Sequence, residues 1–146
     1  MKDETKSPII AGITFIALIF LICFAMTLLR LPHDNQEQLF LVVNITDGDT
    51  FTIATGEIVR LICVDTPEKG EENYTKAKDF LSSLILGEEV RLEPDENGED
   101  QDSYGRLLRY AYLNSTFINK EIVQKGYGTL FPYGNSTSKC EEMGVE

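Results

Sequence analysis

Residues 39–68 read LFLVVNITDGDTFTIATGEIVRLICVDTPE, and this stretch decides the architecture. Residues 39–46 are rich in β-branched and apolar side chains. The tight turn Asp47-Gly48-Asp49 follows, and Asp-Gly is a strong hairpin signal. Residues 50–54 alternate, Thr55-Gly56 turns the chain, and residues 57–64 form a third β-rich run. Three strands joined by short turns read as a meander. Arg60 interrupts the apolar run Ile58-Val59-Arg60-Leu61-Ile62-Cys63-Val64, where a charge needs a partner or a ligand. Strict alternation puts Arg60 and Asp65 on opposite faces. A site shared by the two therefore requires a bulge or bend between them, such as the exit into the Pro67 loop.

Outward from this core, residues 65–73 hold Pro67 and Gly70 and read as a loop. In residues 74–86, Ala77, Phe80, Leu81, Leu84 and Ile85 share one helical face, and Gly87 is a stop. Residues 88–93 are a fourth strand, 94–103 an acidic loop, and 106–113 a fifth strand. Residues 117–125 are helical, with Ile118, Ile122 and Val123 on one side and Gly126 as a cap. The order β-β-β-α-β-β-α, without repeats, is an α+β arrangement that fits a small closed or partly open barrel better than a sandwich. The acidic loop invites comparison with a calcium loop through Asp95, Asn97 and Glu99. Gly98 is misplaced for that and the downstream pattern fails, so a solvated loop is expected.

The chain has 146 residues and a net charge of −11, enough for one domain of ordinary size. Residues 8–29 carry no charge; as a helix this run would be roughly 33 Å long, close to a hydrocarbon core of about 30 Å. No A-x-A pattern follows it, so an uncleaved anchor over residues 8–30 is expected, with a cleaved signal as the alternative. Residues 1–7 form a tail and 31–38 a polar linker. Lys2 and Lys6 precede the run and only Arg30 immediately follows it, which turns the soluble domain outward. Four sequons, at Asn44, Asn73, Asn114 and Asn135, agree with export. From Leu31 on, ten Lys and Arg face 22 Asp and Glu. That excludes a broad basic nucleic-acid surface, though not an enzyme with a few well-placed arginines. Cys63 reads as a small core side chain, Cys140 lies near the end, and no paired framework is evident.

With a single His, in the linker, a zinc site or a histidine base is improbable. Asp49 and Asp65 offer hard oxygens to Ca²⁺ or Mg²⁺ if their strands converge; each alone reads as a turn residue. Asp47-Gly48-Asp49-Thr50, the run from Val59 through Arg60 and Asp65-Thr66-Pro67 to Glu68, and Tyr104-Gly105-Arg106 together resemble the staphylococcal-nuclease-like (thermonuclease) family over residues 39–133. The resemblance implies a five-stranded OB-fold β-barrel with two packed helices and Ca²⁺-dependent cleavage of phosphodiester bonds in DNA or RNA. By position, it implies that Asp49, Asp65 and the Thr66 carbonyl hold calcium and that Glu68 orients or deprotonates the attacking water. Arg60 and Arg106 would bind the scissile phosphate, and Tyr104 would line the nucleotide site. Tyr127 and Tyr133 stand in for the late tyrosines of the family, which align poorly here. A nucleic acid and the membrane are the expected partners, and a monomer the expected state. A catalytically inactive OB-fold module on a membrane anchor, binding nucleic acid or protein without turnover, is the alternative function. In place of the third helix frequent in the family, residues 134–146 allow at most a short helix starting near Ser138, which puts the stability of the domain in question.

Overall fold

A computed structural model describes residues 17–22, 24, 37–132, 134 and 137–144. The chain divides into two units, residues 1–36 and 37–146. In the first, residues 17–22 and 24 are helical. Most of the expected anchor lies outside the described residues, and among those described no helix is long and apolar enough to cross a membrane.

The second unit is built on a five-stranded closed barrel. Its strands are β1 (Leu39–Ile45), β2 (Thr50–Ile53), β3 (Ile58–Leu61), β5 (Glu89–Glu93) and β6 (Leu107–Leu113). They are hydrogen-bonded in the order β3-β2-β1-β5-β6, and a parallel pairing of β3 with β6 closes the ring. This is the OB-type barrel expected of three meander strands followed by two more. Alternation fills it: Val42, Phe51, Ile53, Val59, Leu61 and Val90 point inward and are at most 1% exposed. In β1 the register shifts between Val42 and Asn44, and Val43 is exposed. A β-bulge of this kind bends its strand, as a small barrel requires.

Helix α1 (Tyr74–Ile85) closes one end of the barrel. Ala77, Leu81 and Ile85 are buried, with Phe80 and Leu84 packed beside them. Each fully buried Leu or Ile contributes about 2 kcal/mol. Helix α2 (Ile118–Gln124) buries Ile118, Ile122 and Val123 in the same core. Two short elements escaped the sequence reading: β7 (Thr116–Phe117), and β8 (Thr129–Leu130), which pairs with β4 (Val64–Asp65). The third β-rich run is thus two strands, β3 and β4, separated by a reversal at Ile62-Cys63.

Two expectations are corrected here. Cys63 and Cys140 are joined by a disulfide, with Cα atoms 5.6 Å apart across 77 positions of sequence. Neither spacing nor count announces a pair formed this far apart. By the chain-entropy reckoning such a bond is worth about 4 kcal/mol. The acidic loop is also not wholly solvated, because Asp95 is only 6% exposed. Its Oδ2 accepts hydrogen bonds from the Tyr110 hydroxyl (2.6 Å) and from the Ser138 amide and hydroxyl (2.8 Å each). Residues 137–144 are thereby fastened to the barrel, where Cys140 and Met143 join Ile62, Cys63, Leu108 and Tyr110 in a second apolar cluster. The covalent bond and the buried carboxylate hold this segment, with its 3₁₀ turn Glu141–Met143, on the barrel.

Candidate active site

Asp49 follows the turn that the Asp-Gly signal marks, but glycine is needed there for space. A Cβ on Gly48 would lie 2.7 Å from Ala77 Cβ and 2.8 Å from Thr66 Oγ1. That close approach lets the turn, α1 and the segment after β4 meet. Asp49 is 5% exposed, and both its oxygens are engaged. Oδ1 accepts from the Thr50 hydroxyl at 2.9 Å. Oδ2 accepts from the Thr66 amide at 3.0 Å and the Thr66 hydroxyl at 2.9 Å. Burial pushes the Asp49 carboxyl up to about 6; the Arg60 guanidinium pulls the other way, and the neighbouring Asp47 charge adds to the rise.

Arg60 leaves β3 on the face opposite the buried Val59 and Leu61. Its Nη1 donates to the carbonyls of Leu61 (3.2 Å) and Val64 (2.7 Å). The same guanidinium lies 2.9 Å from Asp49 Oδ2 and 3.5 Å from Asp65 Oδ1. Arg60 and Asp65 share a face because the chain reverses at Cys63, whose φ is +61°. The required bend therefore exists, two residues before Asp65 and ahead of the Pro67 loop rather than at its entrance. Asp65 itself is half exposed (side chain 51%).

The second arginine reaches the same cleft from the start of β6. Arg106 Nε donates to Asp102 Oδ2 at 2.7 Å, while Asp102 Oδ1 accepts the amides of Tyr104 and Arg106. Burial acts to raise the Asp102 carboxyl, but the bonds from Arg106 and Tyr104 more than offset it and hold the group below the usual carboxylate range. Asp102 is a positioning residue the sequence reading passed over; its one signal is an acid four places before Arg106 across a glycine turn. Tyr104 is 84% exposed, with its ring centroid 5.4 Å from Arg106 Cζ. Arg60, Arg106, Tyr104, Asp102, Val64 and Phe131 line one cleft of about 230 Å³.

Asp49, Asp65 and Thr66 do not line this cleft; the two aspartates adjoin it through Arg60, and the other expected residues lie elsewhere. Glu68 is exposed on the loop after β4, where its amide donates to Glu71 Oε2 at 2.8 Å, and it does not line the cleft. Tyr127 stacks on Phe80 with centroids 4.1 Å apart and packs against the barrel core, away from the cleft. Tyr133 lies outside the described residues. Phe131, which the sequence reading did not single out, occupies the cleft wall instead.

Among the described residues no three His, Cys, Asp or Glu cluster into a metal cage. The donors nonetheless suit a hard cation in kind. Two carboxylates converge on one positive group, with carbonyl oxygens nearby, whereas Ca²⁺ takes six to eight oxygens. A protein set this small would leave several positions to water and to phosphate oxygens.

The family described as Staphylococcal nuclease homologue matches residues 58–144. The chain is 35% identical to the thermonuclease of Staphylococcus intermedius over 136 residues, 86% of this chain and 80% of that protein. It is 34% identical over 100 residues to the thermonuclease of Staphylococcus hyicus, covering 62% of this chain and 58% of the relative. Endonuclease YncB of Bacillus subtilis (strain 168) is 32% identical over 131 residues, 79% of this chain and 60% of that protein. The chain thus spans under two thirds of the length of two of these relatives.

Proposed function

The chain belongs to the staphylococcal nuclease homologue family, and on that premise we propose that it is a calcium-dependent nuclease that hydrolyses phosphodiester bonds of DNA or RNA. The observation that carries this reading is the convergence of Arg60 and Arg106 on one cleft, with Asp49 and Asp65 both against Arg60. Hydrolysis passes through a phosphorus centre with extra negative charge on its oxygens. Planar guanidinium donors match those oxygens. Asp102 holds Arg106 by its Nε, and the Leu61 and Val64 carbonyls hold Arg60, so neither arginine needs ordering as the charge develops. Asp49, Asp65 and the Thr66 carbonyl would hold the calcium ion, which when bound supplies further positive charge to phosphate and water. Glu68, on the loop beside Asp65, is free to turn toward a water. A base contributes only about 10²–10⁴-fold, so most of the acceleration falls to the electrostatic groups.

We place the domain outside the cytoplasm, on an N-terminal membrane anchor. The Cys63–Cys140 disulfide favours an oxidising compartment, and the sequon residues Asn44, Asn73 and Asn114 are exposed. The test is direct. The 146-residue chain, incubated with supercoiled plasmid and with RNA in millimolar calcium, is expected to degrade at least one, and excess EGTA to stop it. No cleavage of either, or full activity in EGTA, would overturn the reading.

A further inference from the structure

The groups of the cleft lie on two sides of one irregular residue. Arg60, which lines the cleft, precedes Cys63, and Asp65, whose carboxylate lies 3.5 Å from the Arg60 guanidinium, follows it; the reversal at Cys63, with φ +61°, brings the two together. Cysteine has no intrinsic liking for that conformation, which ordinarily suits glycine or asparagine. Such a residue persists only where its surroundings over-determine it. The neighbours of Cys63 are hydrogen-bonded, Ile62 to Arg109 and Asn119 and Val64 to Arg60, and Cys63 is tied directly as well. The Cys63 carbonyl accepts the Phe131 amide at 3.0 Å, and its sulfur is bonded to Cys140. Cys140 is itself held in place. Ser138 is bonded to Asp95, the Lys139 amide donates to the Tyr110 hydroxyl at 3.2 Å, and Met143 is fully buried. Cys63 also lines the cleft.

We propose that the Cys63–Cys140 disulfide is a positioning bond for the nuclease cleft, so that opening it disarms the site while the barrel stays folded. The proposal rests on the nuclease reading. Its consequence is that the enzyme works only where thiols are oxidised and is disarmed in a reducing cytosol. The barrel core does not depend on the bond, since Val42, Phe51, Leu81 and Ile122 belong to the other apolar cluster. Opening proceeds by thiol–disulfide exchange. A dithiol reductant gives two electrons and two protons, the sulfur–sulfur bond breaks to two thiols, and the reductant becomes a disulfide; a small-molecule disulfide reverses the exchange.

The test compares the oxidised chain with the chain reduced by dithiothreitol, at a temperature where circular dichroism shows both folded. Turnover is expected to fall at least tenfold on reduction, in step with the appearance of two thiols. Hydrogen exchange of the Phe131 amide is expected to quicken at least tenfold, while that of Ala54, which follows β2 and donates to the Leu41 carbonyl of β1, is unchanged. Glycine supplies a rescue that a merely stabilising bond would not show. C63G/C140S should regain turnover relative to C63S/C140S, although both lack the bond, because glycine adopts the left-handed bend unaided. Unchanged turnover and unchanged Phe131 exchange on reduction would overturn the proposal, as would equal activity of the two double variants. An oxidised chain that cleaves nothing condemns the nuclease reading alone; the Phe131 exchange then still decides whether the bond holds the bend.

Discussion

Asp49 carries two demands that oppose one another. Burial favours its neutral form and lifts its carboxyl to about 6, yet holding a cation requires the charged form. Because the folded value lies above 3.8, protonated Asp49 favours the folded state, and its contribution to stability declines as pH rises from about 4 to 6. Cation binding runs the other way. Calorimetric titration with calcium at pH 7 and pH 5 is expected to give an affinity about tenfold weaker at the lower pH. Equal affinities would show that Asp49 is not a ligand. At the second arginine, Asp102 does its work by holding Nε, so Asp102→Ala should lower kcat about tenfold or more with calcium affinity unchanged. Both were differently legible in the sequence. Asp49 belongs to an ordered motif, whereas Asp102 sits in a run of acids where nothing marks one as bonded.

At the scale of elements, three joints set the geometry. The first is the turn at Gly48, where any side chain meets Ala77 and Thr66. Gly48→Ala is expected to destabilise the domain by about 1–3 kcal/mol, read as a lowered thermal midpoint. The second is the reversal at Cys63. Periodicity could say that a bend was needed to bring Arg60 and Asp65 together. It could not say where, because the run Leu61-Ile62-Cys63-Val64 is uniformly apolar and no glycine punctuates it. The third is the fastening of residues 137–144 by Asp95. Burial acts to raise the Asp95 carboxyl, but the bonds from Tyr110, Asn97 and Ser138 more than offset it and bring it down to about 2. Its stabilisation is therefore complete above about pH 5 and lost as pH falls toward 2, amounting to about 2 kcal/mol. Urea unfolding at pH 5 and pH 2.5 should show this loss in the native chain and a smaller one in Asp95→Asn; equal losses would exclude the role. Helices α1 and α2 were legible because their apolar faces repeat at helical spacing. The disulfide and the Asp95 bonds join residues 77 and 43 positions apart, and contacts at that range leave no local pattern.

For the whole molecule, the net charge of −11 opposes encounter with a polyanion. Most nucleic-acid binders weaken as salt rises, through loss of counterion release. Here kcat/KM at fixed calcium is expected to rise as ionic strength goes from about 10 to 100 mM, because screening acts first on the repulsion. A steady fall over that range would mean that a local basic surface governs encounter. Two guanidinium groups in one cleft, those of Arg60 and Arg106, carry the proposed chemistry, and their removal tests it most directly. Turnover of plasmid or RNA by purified Arg60→Ala and Arg106→Ala, each with an unchanged circular dichroism spectrum, is predicted to fall on the order of 10²-fold or more. Near-normal turnover by either folded variant would contradict the assignment of that arginine to the reacting phosphate.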